Sequence, residues 1–165
     1  MKFAGVLASA ALVLYPAVAP AEINPSIQVP PGWTKHAVTR AHDHAWWRGD
    51  QFLDLDTQRN RERQTLEAFV HDIILPSSNS HGSRVISSVP TTTCMGQQKA
   101  WRVTVSMPAE PGTHAVLETV FAVSGTNVYE ASYMRPSTDG PRADAERAIR
   151  SLCLERRRTS SGHGQ

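Results

Sequence analysis

The sequence predicts an α+β domain: an antiparallel β-sheet of about five or six strands, flanked by two helices and held by one disulfide. Three observations predict it. Segments between Trp101 and Arg135 alternate apolar with other residues and are separated by short turns, as half-buried antiparallel strands do. Two other stretches, 57–75 and 142–153, carry apolar residues at helical spacing. The chain's 2 cysteines, Cys94 and Cys153, bracket its second half behind an export-type leader.

The leader comes first. Met1-Lys2 is a short positive start, Phe3 to Val18 is uncharged and mostly apolar, and Ala19-Pro20-Ala21 offers small residues to a signal peptidase. Residues 1–21 are therefore expected to be a cleaved signal peptide. Pro16 and Pro20 and the shortness of the run argue against an anchoring helix, and no cysteine follows it to carry a lipid. The mature chain is expected to be soluble, periplasmic or secreted, and monomeric. Residues 22–153 read as a single domain long enough to bury a core. Residues 154–165 read as a disordered basic tail.

Within the domain, 22–32 is a proline-punctuated lead-in expected to be extended and poor in hydrogen bonds. A strand is expected near Trp33–Thr39 and another through Gln51–Leu55. Leu66, Phe69, Val70, Ile73 and Ile74 recur at i, i+3, i+4, i+7 and i+8, which predicts a helix over 57–75 capped by Asp56 or Thr57 and stopped by Pro76. A flexible loop follows over 77–83. The β-branched run Arg84–Val89 predicts a strand. Trp101, Val103, Val105 and Met107 share one face of the next, and Leu117, Thr119, Phe121 and Val123 share one face of the strand after it. Ser124-Gly125-Thr126-Asn127 predicts a hairpin into Val128–Arg135, where Tyr129, Ala131 and Tyr133 point one way. Ala145, Ala148, Ile149 and Leu152 predict the closing helix.

Cys94-x-Gly96, Trp101, the segment Val128-Tyr-Glu-Ala-Ser-Tyr133 and Ala148-Ile-x-Ser-Leu-Cys153, taken in this order of strands and helices, resemble small exported bacterial proteins of uncharacterised function with a PsbP-like layout. The resemblance spans roughly residues 30–153. It implies an antiparallel sheet flanked by helices, used as a non-catalytic binding or accessory module, and it carries no active site and no partner with it.

The charge pattern limits the function classes. Setting aside Lys2, Arg156, Arg157, Arg158 and Glu155, 13 basic residues face 14 acidic ones, so the body has no footprint for nucleic acid. A nucleophile-elbow Gly-x-Ser-x-Gly, a phosphate loop and a His-Glu-x-x-His are all missing, so no catalytic residue and no cofactor are expected. Ser83 beside His81 sits in a loop too loose to preorganise a dyad. Asp54-x-Asp56 lacks a calcium loop and reads as a helix cap.

Two candidate sites remain. His36, His42 and His44 could meet at one Zn²⁺ or Cu²⁺, because positions 42 and 44 of a strand face the same way. Trp46 and Trp47 could contribute to binding: in a strand they face opposite sides, so one enters the core while the other is available at the surface. Trp33 could likewise line a pocket or groove, while Trp101, on its alternating strand, reads as core. The expected function is an exported binding or accessory module of the cell envelope, its partner a protein or small ligand, with a metal-binding module as the alternative.

Overall fold

The computed structural model describes residues 23–37, 44–110 and 112–156. Strands dominate. β1 (Ile23–Ser26) pairs antiparallel with β9 (Cys153–Arg156), forming a two-stranded sheet. The strands β2 (Thr34–His36), β3 (His44–Arg48), β4 (Gln51–Arg59), β5 (Arg84–Thr93), β6 (Gln98–Pro108), β7 (His114–Ser124) and β8 (Asn127–Pro136) form one antiparallel sheet in the order β2-β3-β4-β8-β7-β6-β5. Two meanders, β2-β3-β4 and β5-β6-β7-β8, therefore meet along β4 and β8. Gly49 and Gly125, at φ 59° and 61°, supply the left-handed conformation that two of the tight hairpin turns require.

This architecture corrects the expected fold class. The main sheet has seven strands rather than five or six, and a second sheet accompanies it. Two regular flanking helices are not observed either. Among the described residues the one uninterrupted α-helix of two turns or more is α3 (Ala143–Arg150). The stretch expected as a helix over 57–75 is strand as far as Arg59. It becomes helical only at α1 (Leu66–Phe69), passes through a π-helical turn (Val70–Ile74) and ends in α2 (Leu75–Ser78). The physical reasons lie in particular residues. Asn60 is buried: its N–H donates to Thr126 O, its Oδ1 accepts from Gln64 N and its Nδ2 donates to Gln64 O, which holds the chain in a loop. Thr65 Oγ1 then caps α1 by accepting from Ala68 N at 3.2 Å. Pro76 has no N–H to give Asp72, and Leu75 N–H reaches five residues back to Val70 O, so the ladder shifts to π spacing before the proline. Pro76 sits in the first turn of α2 and does not stop the helix.

Two further expectations change. The lead-in is not poor in hydrogen bonds, since Ile23–Ser26 pairs with β9. Residues 154–156 belong to that strand, so the folded part continues past Cys153. Residues 1–21, expected as a signal peptide, and residues 157–165 lie outside the described residues.

Directly opposed residues of antiparallel strands share a face, and faces alternate along each strand. One face of the main sheet carries α3. Leu53, Leu55, Val120, Ala122, Ala131 and Tyr133 pack there with Ala145, Ala148, Ile149 and Leu152 in the larger core, together with Trp33. The small side chains of Ala145 and Ala148 let the helix backbone lie close to the sheet. Ile149 is fully buried, and truncating such a residue to Ala costs about 2–5 kcal/mol. On the opposite face Phe69 and Val70 pack against Val103, Val105, Phe121 and Val128 in a second core.

Cys94 and Cys153 are joined, with Cα atoms 4.7 Å apart across a sequence separation of 59. Thr93, 1% exposed, places its hydroxyl against the carbonyls of Arg150 and Leu152 beside that bond. Together they fasten the end of β5 to the end of α3.

Candidate functional site

The two faces are not covered equally. α1 packs on β6 and β7 and α2 on β5, so the helical segment lies over one side of its face. The β4–β8 side is left open, and a cleft of about 350 Å³ forms between it and the helical segment. Val103, Val105, Leu117 and Phe121 form its apolar floor. Ile74, Ser77 and Ser78 form the wall from the helical segment, and Phe52 and Met134 lie on the far side.

A polar row crosses this apolar surface. Asp54 stands opposite Ser132, and Ser132 opposite Thr119, so all three share the cleft face. The Thr119 and Ser132 hydroxyls are buried and 2.9 Å apart. Only one of the two protons is used between them, and lone pairs remain on both oxygens. Glu130 lines the cleft next to this row, with Asp56 directly opposite it on β4.

The carboxyls are electrostatically strained. Burial pushes Glu130 up to about 7; the nearby charges of Asp56 and Asp54 add to the rise, and a hydrogen bond from Gln58 Nε2 at 3.1 Å opposes it. Burial, then the Asp56 charge, raises Asp54 to about 6, against a hydrogen bond from the Leu55 N–H. Asp56 Oδ1 accepts from Thr57 N at 2.6 Å. The ion pairs among the described residues, Arg48–Asp144, Arg102–Glu118, Arg142–Asp144 and Arg150–Glu146, leave Asp54 and Glu130 out. Among the described residues no cation pairs directly with either.

Of the described histidines and tryptophans singled out from the sequence as candidate sites, none lines this cleft. His36 pairs with Ala45, which puts it on the cleft face, with its ring 6.1 Å from that of Trp47. His44 pairs with Leu55 on the α3 face, with its ring 5.9 Å from that of Trp46. The sheet thus separates His36 and His44 to opposite sides, and His42 lies outside the described residues. Among the described residues no group of three or more His, Cys, Asp and Glu is placed to hold a metal. Trp46 is half-buried against the α3-side core. Trp47 is on the cleft face, 38% exposed, with its ring 4.8 Å from that of Phe52. Trp47 therefore extends the aromatic side of the cleft outward.

Sequence reasoning missed Asp54, Glu130, Thr119 and Ser132 as one site. A weak signal was present: Phe52-x-Asp54-x-Asp56 and Val128-x-Glu130-x-Ser132-x-Met134 both mix acidic or hydroxyl groups with apolar residues at period two. Only the β4–β8 register brings them together.

No protein-family model matches the chain, and no curated protein matches it. Among solved structures the fold is similar to LpqN of Mycobacterium tuberculosis, described as involved in cell envelope biogenesis. The TM-score is 0.62 at 13% identity, over 84% of this chain and 87% of that one. It is also similar to a protein of Bacteroides thetaiotaomicron VPI-5482, with a TM-score of 0.55 and 12% identity over 81% of this chain; the chain spans 46% of that protein's length. A protein of unknown function from Pseudomonas aeruginosa aligns with a TM-score of 0.47 at 14% identity. At these identities the first two show a shared fold, and the PsbP-like assignment gains no family match.

Proposed function

We propose that the chain is an exported, non-catalytic binding module of the cell envelope, and that its ligand site is the cleft over β4 and β8. The observation that carries this reading is the uncovered half of a sheet face: an apolar floor, a few convergent polar groups, and carboxyls displaced from their ordinary range. That combination is characteristic of small-molecule sites, and about 350 Å³ falls at the small end of their range. The envelope setting draws support from the disulfide, which persists in oxidising compartments, and from the likeness to LpqN, itself described as involved in cell envelope biogenesis.

The test is titration of the mature protein with an uncharged fluorescent probe, N-phenyl-1-naphthylamine. Saturable binding at one probe per chain is expected. Leu117→Trp places bulk on the cleft floor at a half-buried position and should weaken binding by about tenfold or more, equivalent to about 1.4 kcal/mol, while leaving the melting transition intact. Absence of saturable binding, or equal binding by a folded Leu117→Trp protein, overturns the site. Turnover of glycosides, esters or peptides that is lost in Glu130→Gln overturns the non-catalytic assignment.

A further inference from the structure

Resting on that reading, we infer that the cleft takes a single-chain amphiphile with a cationic ammonium head, the head lying between Asp54, Glu130 and Phe52 and the apolar body over Val103, Leu117 and Phe121. Charge complementarity carries the inference. Asp54 and Glu130 both line the cleft, and Asp56 stands opposite Glu130 on the same face. Neither lining carboxyl has an ion-pair partner among the described residues. A cation entering here meets the two lining carboxyls, Asp54 and Glu130, whose mutual repulsion it relieves. An anionic head would add to that repulsion.

The aromatic side points to the same chemistry. Phe52 shares its strand face with Asp54 two residues on, and Trp47 backs it with ring centroids 4.8 Å apart. Aromatic faces beside carboxylates are a recurrent environment for ammonium groups, which the ring quadrupole attracts. The Thr119–Ser132 hydroxyl oxygens keep lone pairs that can face a positive head.

Size selects the source of the cation. A cleft of about 350 Å³ is at the lower limit for ligand sites, which suits one short alkyl chain and excludes a two-chain lipid from full burial. The apolar floor in turn gives a small hydrophilic amine little to bind.

The experiment is calorimetric titration of the mature protein at pH 8 with decyltrimethylammonium, decanol and decanoate, each below its micelle concentration, and with tetramethylammonium as the chainless head. Decyltrimethylammonium should bind at least about tenfold more tightly than decanoate and than tetramethylammonium. Glu130→Gln and Asp54→Asn should each weaken the cation by about fivefold or more, and by a larger factor than they weaken decanol. Equal or tighter binding of decanol or decanoate overturns the cationic class, and continued binding of N-phenyl-1-naphthylamine in the same preparation shows that the cleft reading survives. Loss of the uncharged probe as well overturns both. Equal binding by tetramethylammonium overturns the amphiphile.

Discussion

Replacing Glu130 by Gln should stabilise the protein at pH 8 and leave it nearly unchanged at pH 4. Glu130 has an ordinary value of 4.5 and is held at about 7 in the fold, chiefly by burial. The folded state therefore keeps a proton that the unfolded state releases near 4.5. Between those values the native protein binds more protons, so stability is full below about pH 4.5 and is lost as pH rises to about 7. Each pH unit between the two values is worth about 1.4 kcal/mol, which gives about 3 kcal/mol lost above pH 7. Gln carries no charge to desolvate, and its amide oxygen can still accept from Gln58 Nε2, which now bonds Glu130 at 3.1 Å. Glu130→Gln should accordingly recover up to about 3 kcal/mol at pH 8, raising the melting temperature by about 10 °C in a domain of this size. Urea denaturation of both proteins at pH 4 and pH 8 measures it. A Glu130→Gln protein that is less stable than wild type at pH 8, or one that keeps the full pH slope, refutes the reasoning.

Other consequences follow from particular contacts. Changing Cys94 and Cys153 together to Ser opens a loop of 59-residue separation, a loss of roughly 4 kcal/mol on chain-entropy grounds, and differential scanning calorimetry should show a fall of about 10 °C or more. A chain ending at Cys153 loses most of β9 and the half-buried Leu154 packed on the core, so it should melt roughly 5 °C lower; an unchanged transition would show that the β1–β9 pairing adds nothing. Thr93→Val removes a buried hydroxyl from the carbonyls of Arg150 and Leu152 and should cost about 1–3 kcal/mol by urea unfolding. Trp46→Ala should cost about 2–3 kcal/mol and Trp47→Ala less than about 1 kcal/mol, with the loss of probe binding confined to Trp47→Ala.

What could be read from residues alone depended on how local the determining contact was. The alternation at Trp101–Met107, Leu117–Val123 and Tyr129–Tyr133 is visible because each of these strands has consecutive neighbours joined by short turns, here β6, β7 and β8. β4 is legible only as far as Leu55, because Asp56 and Thr57 read equally well as the cap of a following helix, and the strand's continuation to Arg59 leaves no local signal. The helical period from Leu66 to Ile74 is present in the sequence, but nothing nearby announced that Asn60 would be buried by a bond to Thr126 and hold residues 60–65 out of the helix. The partner of Ile23–Ser26 lies at Cys153–Arg156, and pairing across such a separation leaves no periodic trace at either end. The candidate site is illegible for the same reason. Asp56 and Glu130 become neighbours only in the β4–β8 register, where the two meanders meet.

The measurement that tests the central claim most directly is a map of backbone amide chemical-shift changes during titration of the ¹⁵N-labelled mature protein with decyltrimethylammonium. Shifts concentrated on Phe52, Asp54, Leu117, Glu130 and Met134, and on the adjoining Ile74–Ser78 wall, are the expected result. Shifts confined to the sheet edge at Ile86 and Val89, whose side chains are exposed, or no saturable shifts at all, would contradict it.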